Sequence, residues 1–148
     1  AGSESSRSIA VTNSGMVEGV NFGFGIAEVD SASSTTTVDS TTAYVTYAFG
    51  PVTVGVQDTS IDNPLGTADA DSMLYGVSFV VNDDVSISYN QRDVEISGTS
   101  VDQEDTGIAA SYTMGNMTLS AFNNASSGVG GTAGKEDEVT QVTMSFAF

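Results

Sequence analysis

VTQVTMSFAF, the stretch from Val139 to Phe148, decides the fold class because its side chains alternate between apolar and polar. The apolar positions are Val142, Met144, Phe146 and Phe148, and the positions between them are Gln141, Thr143, Ser145 and Ala147. Successive side chains of a strand point to opposite faces, so the pattern predicts a strand with one apolar face and one polar face. No later residue of this sequence covers Phe148. We therefore expect the apolar face to lie against a lipid bilayer.

The same period of two recurs along the whole chain. Helical spacing of apolar residues is almost absent, which predicts an all-β fold of antiparallel neighbours. We expect about nine strands: Arg7 to Thr12, Val17 to Val29, Thr41 to Phe49, Val52 to Thr59, Ser72 to Val81, Val85 to Ile96, Thr106 to Met114, Met117 to Asn124, and Val139 to Phe148. Most approach the roughly 9 to 11 residues with which a tilted strand crosses a bilayer. Residues 1–148 are thus predicted to form a single transmembrane β-barrel domain.

Short turns and long loops alternate between these strands. Short turns are expected at Asn13-Ser14-Gly15, Gly50-Pro51, Asn82-Asp83-Asp84 and Gly115-Asn116, and long loops at about residues 30–40, 60–71, 97–105 and 125–138. The carboxylates follow the same division, since Glu18, Asp83 and Asp84 lie by the short turns and the other 16 of 19 lie on the loop side. Outer-membrane barrels have short periplasmic turns and long external loops. The asymmetry therefore predicts the bacterial outer membrane.

The charge and the missing residue types exclude several classes of function. The chain carries 19 acidic residues against three basic ones, for a net charge of −16, which argues against nucleic acid as a partner. Cys and His are both absent. A thiolate metal site and the commonest general base are therefore missing. Adjacent loop carboxylates do not set the defined separation that glycoside hydrolysis needs, so we expect that the protein is not an enzyme.

The polar face of the predicted strands is built from small residues instead of long charged ones. Gly, Ser, Thr and Asn suit a crowded or water-filled lumen, whereas a soluble sandwich would show long charged side chains to solvent. The expected lumen lining is Arg92, Asn90, Ser88, Gln57 and Asn21. For Arg92 the alternative is a contact with an acidic loop at the rim. Aromatic residues collect on the apolar face near the short turns, where an interfacial girdle would lie: Phe49, Phe79, Tyr112, Phe146 and Phe148.

The acidic loops are the candidate metal site. Two groups of carboxylates offer the hard oxygen ligands that Ca²⁺ takes: Asp62, Asp69 and Asp71 in one loop, and Asp102, Glu104 and Asp105 in another. A third is Glu136-Asp137-Glu138. None of the three spacings matches an EF-hand. The alternative is a solvated rim whose carboxylates repel one another, so no cofactor is expected to be required. Divalent ions could instead bridge the loops or lipopolysaccharide. A rim this negative predicts a preference for cations within about a Debye length, roughly 10 Å at 0.1 M salt.

Several segments resemble the general porins of Gram-negative bacteria. The first is a hairpin that resembles the one following the constriction loop of those proteins: Arg7-Ser8-Ile9-Ala10-Val11-Thr12-Asn13-Ser14-Gly15 followed by Val17-Glu18-Gly19-Val20-Asn21-Phe22-Gly23-Phe24-Gly25. The others are similar to alphaproteobacterial, Rhodobacter-type members: Tyr47-Ala48-Phe49-Gly50, Ser111-Tyr112-Thr113-Met114-Gly115-Asn116-Met117-Thr118, and Met144-Ser145-Phe146-Ala147-Phe148. The similarity spans the chain.

The resemblance implies a sixteen-stranded barrel that forms a homotrimer. It also implies a water-filled channel, narrowed by an inward-folded loop, through which small hydrophilic solutes diffuse. The chain departs from the family in lacking an aromatic residue near Val11 and a proline near Gly15, and it carries Ala10 where an inward arginine is common. Arg92 is then the one clear basic residue of the wall.

Strand parity predicts that this is the carboxy-terminal part of a longer porin. Counting back from a periplasmic last strand, the strand at Arg7 enters from outside, so an odd number of strands is expected to precede it. One alternative is a complete eight-stranded barrel from Val17 to Phe148 with residues 1–16 as a periplasmic tail. Another is a secreted β-sandwich. Either would have a binding, adhesive or structural role.

Overall fold

The computed structural model describes residues 5–30, 37–63 and 69–147. These residues form nine strands and one short 3₁₀ turn: β1 Ser5–Val17, β2 Val20–Asp30, β3 Thr37–Phe49, β4 Val52–Asp62, β5 Ala70–Asn82, β6 Val85–Ile96, β7 Gln103–Met114, β8 Met117–Ser127, η1 Val129–Gly131, and β9 Glu136–Phe146. Within these ranges, no helix is both long and apolar enough to cross a membrane.

The nine strands make one antiparallel sheet in which each strand pairs with its neighbours in sequence, in the order β1 to β9. The described residues include no buried hydrophobic side chain. Phe22, Val45, Val77 and Phe146, which a sandwich would bury between two layers, are 41%, 41%, 40% and 57% exposed. The sandwich alternative is therefore wrong. The eight-stranded barrel with residues 1–16 as a periplasmic tail is also wrong, because β1 pairs with β2 from Ser5 to Val17.

The two faces of the sheet differ in exposure as well as in polarity. Along β3, β5 and β7 the exposed positions alternate with less exposed ones. On β3 the less exposed side carries Thr42, Tyr44 and Thr46, and the exposed side carries Val45 and Tyr47. Side chains crowd together on the inside of a curved sheet and spread apart on its outside. We call the small, polar side the inner face and the apolar side the outer face.

The outer face carries the predicted aromatic girdle. The Tyr47 and Phe49 rings stack with their centroids 5.5 Å apart beside the β3–β4 turn. Phe79, Tyr112 and Phe146 are likewise exposed on this face, and Phe148 lies outside the described residues. Toward the loop side, the Tyr75 hydroxyl donates to Asp93 at 3.3 Å and the Tyr89 hydroxyl to Gln91 at 3.2 Å. The outer face thus carries aromatic residues by the short turns, and two tyrosines that bond to polar partners on the loop side.

The first turn differs from the sequence prediction. The expected turn at Asn13-Ser14-Gly15 is a bulge inside β1, where the register shifts between Ser14 and Val17. The chain reverses instead at Glu18 and Gly19, because Gly19 adopts a φ of +76° that side-chain-bearing residues seldom take.

The strands also extend farther toward the loops than expected. β5 starts at Ala70, β7 at Gln103 and β9 at Glu136, each two or three residues earlier than predicted. These added residues are mostly polar, and apolar patterning predicts only the part of a strand that lies in lipid. The turn η1 was not predicted at all, because three residues of Val and Gly show no helical period.

Candidate functional site

All five residues predicted to line a lumen lie on the inner face. Asn21 and Asn90 belong to one row of cross-strand neighbours: Asn21, Thr46, Gly55, Gly76, Asn90, Gly107 and Asn124. Gln57 and Arg92 belong to the next row toward the loops: Gly23, Tyr44, Gln57, Leu74, Arg92 and Asp105. Ser88 lies opposite Ser78, one row toward the turns. The structure thus gathers these side chains on one polar wall.

The middle of this wall holds a shallow groove of about 310 Å³. Tyr44 and Leu74 supply its apolar surface, and Gln57 and Asn90 supply amide groups. The Tyr44 ring lies over the buried Gly23, where a Cβ atom would collide with the ring. Glycine at this position therefore allows the tyrosine to lie flat against the wall instead of projecting into the space above it.

Beside the groove, Asn90 and Asn124 converge over Gly107. A Cβ atom on Gly107 would lie 2.8 Å from the Oδ1 atoms of both asparagines. Gly107 is buried, although it sits in the middle of β7. Asn90 and Asn124 extend from the two neighbouring strands, so the glycine creates the space that their amides fill.

Arg92 forms the ion pair of the inner face. Its Nη2 and Nε atoms lie 2.5 and 2.8 Å from Asp105 Oδ2, directly across the β6–β7 pairing. The Arg92 side chain is 47% exposed and the Asp105 side chain 18%. Gln103 donates from Nε2 to both carboxylate oxygens of Asp105, at 2.9 and 3.1 Å. Arg92 therefore lies on the polar wall and is held there by Asp105, a β7 residue near the loops.

Most carboxylates of the rim lie on the outer face, because the strands continue into the rim with the same alternation of faces. Eleven of them share the parity of the apolar residues in their strands: Glu28, Asp30, Asp39, Asp58, Asp62, Asp71, Asp93, Glu95, Glu104, Glu136 and Glu138. Several stand directly opposite one another, as Asp39 does with Glu28 and Asp62. Arg7 pairs with Glu28 at the end of this row. Like charges directly opposite each other are mutually destabilising.

The two predicted calcium-binding groups do not assemble. Glu104 and Asp105 are neighbours on β7 and so face opposite sides of the sheet, with Asp105 bonded to Arg92. Asp71 stands opposite Glu95, and Asp69 accepts the backbone N–H of Asn63 at 2.8 Å. Over the described ranges, no three acidic side chains come close enough together to hold a metal ion.

Sequence patterning missed three contributors to the wall: Tyr44, Gln103 and Asn124. Tyr44 is an aromatic residue among the small polar residues of its face, and its accommodation by Gly23 depends on the register between β2 and β3. Gln103 fell within a predicted loop. Gln103 lies two residues before Asp105, so the two side chains share a face if the strand already begins at Gln103. This spacing is the sequence feature that could have predicted its position.

A sequence model described as Gram-negative porin matches residues 1–148. The chain belongs to the Gram-negative porin family. This confirms the family predicted from the hairpin motifs and assigns the protein to the bacterial outer membrane, with the nine strands as transmembrane β-strands. No curated protein sequence matches the chain at a significant level.

Solved porin structures share this fold. The anion-selective porin from Comamonas acidovorans has a TM-score of 0.71 at 15% identity, covering 89% of this chain and 46% of that one. A mutant porin of Rh. blastica has a TM-score of 0.70 at 20% identity, covering 97% of this chain and 46% of that one. The NanC porin gives 0.68 at 9% identity, with 98% and 79% covered. The chain thus spans slightly less than half the length of the first two porins.

Proposed function

We propose that these nine strands form part of the wall of a water-filled channel for passive diffusion of small hydrophilic solutes and ions. The observation that supports this most directly is the division between the two faces. The outer face exposes large apolar side chains such as Phe79 and Val77, and the described residues enclose no core that could cover them. The inner face carries Asn21, Gln57, Ser88, Asn90 and Arg92. In a porin barrel these two faces meet lipid and water respectively.

The channel prefers cations in this proposal. Arg92 is the one basic side chain on the inner face of the described strands, and Asp105 neutralises it. Asp137 adds a further negative charge to the same face, as part of β9. The outward carboxylates contribute more weakly, because they lie on the far side of the sheet and are screened over roughly 10 Å at 0.1 M salt. We expect a cation preference that is strongest at low ionic strength.

We infer transport and not catalysis. Asp105 is occupied by Arg92 and Gln103. Glu104, its neighbour in sequence, faces the other side of the sheet. No acid and base therefore face each other across a site at this pair.

The complete protein is proposed to be a sixteen-stranded barrel that assembles as a homotrimer, as the Rhodobacter-type resemblance implies. Lipopolysaccharide is the proposed partner of the outward carboxylate rim. Since the acidic side chains of the described residues do not converge in threes, Ca²⁺ is proposed to act by linking this rim to the phosphate groups of lipid. Rows such as Asp39 and Asp62 would lose their mutual repulsion in such a complex.

The test is a planar bilayer containing the full-length gene product. In a potassium chloride gradient, the reversal potential should show potassium passing more readily than chloride, with the ratio falling as salt is raised. A stable conductance with chloride preferred would refute the cation preference and leave the channel intact. A protein that stays folded in cold SDS, shifts on boiling and yet gives no conductance would refute the channel.

A further inference from the structure

The loop between β8 and β9 is tied to the ion pair of the wall through one side chain. The backbone N–H of Gly130 donates to Gln103 Oε1 at 2.9 Å. The Nε2 atom of the same amide donates to Asp105, which in turn accepts from Arg92. Gln103 thus uses both ends of its amide, one on the loop and one on the wall. A side chain without an amide group could form neither the hydrogen bond to Gly130 nor the one to Asp105.

The turn η1 in this loop also packs tightly against the neighbouring β6–β7 loop. A Cβ atom on Gly131 would collide with the Thr99 side chain, and one on Gly128 with the Asp102 carbonyl oxygen. Gly131 is buried although it belongs to a loop. The turn closes on itself through the Gly131 N–H, which donates to the Gly128 carbonyl at 2.8 Å. The turn therefore packs against the β6–β7 loop and the start of β7.

That position is over the inner face. Val129 borders an open groove of about 610 Å³ that is also lined by Leu74, Asn90 and Arg92. Those three residues belong to the inner-face rows of β5 and β6. The turn therefore projects inward, above the row that carries the ion pair, and does not point away from the sheet.

We propose that η1 forms an inner collar at the loop end of the channel, and that Gln103 is the positioning residue that holds it there. The collar narrows the mouth and sets the largest solute that passes. This inference rests on the proposed channel function. It is separate from the inward-folded loop that the family resemblance implies, since every group in it belongs to β6, β7, the β6–β7 loop or the β8–β9 loop.

The test compares Gln103→Leu with Gln91→Leu in the full-length gene product. Gln91 also bonds to two carboxylates, Asp93 at 3.2 Å and Glu104 at 3.1 Å, but it does so on the outer face. Gly131→Val releases the turn by a different route, through the collision with Thr99. A heat-dependent gel shift shows that each variant is folded.

Two readouts are measured on the folded protein. The first is the rate of trypsin cleavage after Lys135, the one lysine of this chain, which lies exposed just beyond η1. The second is the largest poly(ethylene glycol) that enters the open channel, scored by its effect on single-channel conductance. Trypsin should cleave Gln103→Leu and Gly131→Val faster than the wild type, and both variants should admit larger polymers. Gln91→Leu should match the wild type in both readouts.

Unchanged cleavage and unchanged polymer exclusion in Gln103→Leu would overturn the inference. So would faster cleavage with the exclusion limit unchanged, because the turn would then be released without widening the mouth. A folded wild type that conducts no ions would instead refute the proposed function, and the collar with it. A conducting wild type with an unaffected Gln103→Leu refutes the collar alone.

Discussion

Arg92 and Asp105 stand directly opposite each other on β6 and β7, and the guanidinium Nε lies 2.8 Å from the carboxylate Oδ2. Each neutralises the other on a wall whose neighbouring side chains are mostly neutral amides and hydroxyls. Because the ion pair is partly exposed, it contributes little to the free energy of unfolding. Its larger effect is on the electrostatic potential at the inner face, where the two charges cancel. Removing either charge should therefore be visible first in ion selectivity.

Asp105→Asn should lower the preference for potassium over chloride by about a factor of two, because Arg92 is left without its counter-charge in a partly screened site. Asparagine keeps an oxygen that accepts from Gln103, so the loop contact is retained. Reversal potentials in a bilayer at low salt measure the change. Asp93→Asn, which removes a carboxylate from the outer face, is the matched control and should change the ratio much less. Equal shifts in the two variants would contradict the assignment of faces.

Val77→Lys and Ser78→Lys place the same charge on adjacent residues of β5 that face opposite sides. A lysine at Val77 enters the middle of the apolar band and should cost about 2–4 kcal/mol of folding free energy. A lysine at Ser78 projects from the inner face into water and should cost far less. Urea unfolding in lipid vesicles, followed by the heat-dependent gel shift, gives both values. If Ser78→Lys proved the more damaging variant, the faces would be reversed.

Gly19→Ala should destabilise the barrel more than Gly15→Ala. Both glycines have positive φ, +76° and +106°, so each alanine meets a backbone penalty of roughly 1–2 kcal/mol. At Gly19 the added Cβ also collides with the carbonyl oxygen of Ala48, whereas at Gly15 it meets open space. The comparison uses urea midpoints of the two variants. Equal midpoints would mean that the reversal at Glu18 and Gly19 is misplaced.

Gly107→Val should destabilise the protein by about 1–3 kcal/mol, because its side chain would need the space that Asn90 and Asn124 occupy. The displaced amides should also lower single-channel conductance. Ala110→Val, on the same strand but on the outer face, adds apolar volume toward lipid and should be close to neutral. A conductance that is unchanged in Gly107→Val would show that the two asparagines do not line the pathway.

Much of the fold could be predicted from residue periodicity. The period of two identified all nine strands and their faces, since a side chain's face depends only on whether its separation from a neighbour is odd or even. The ends were less predictable. The strand ends beyond the lipid carry polar residues on both faces, so the apolar–polar alternation disappears there. Three strands begin in such segments, at Gln103, Glu136 and Ala70. The first turn was misplaced because Gly15 and Gly19 are equally good turn residues in sequence.

The candidate wall was predictable as a set of residues but not as a set of contacts. Asn90, Arg92 and Gln57 could be assigned to one polar face from their own strands. That Arg92 meets Asp105, and that Asn90 and Asn124 meet over Gly107, depends on the register between strands. Register is decided by the positions of turns and bulges, and a shift of one residue changes every cross-strand neighbour.

The amino-acid sequence by itself determined the alternation of apolar and polar faces, the division into an edge of short turns and an edge of long loops, and the family. Those properties are local, because parity and turn chemistry act within a few residues. Only the tertiary structure decided that Asp105 is paired with Arg92 instead of gathered with Asp102 and Glu104, and that η1 reaches inward to Gln103. These depend on which strands become neighbours and how far each is offset, which the hydrogen-bonded sheet sets as a whole.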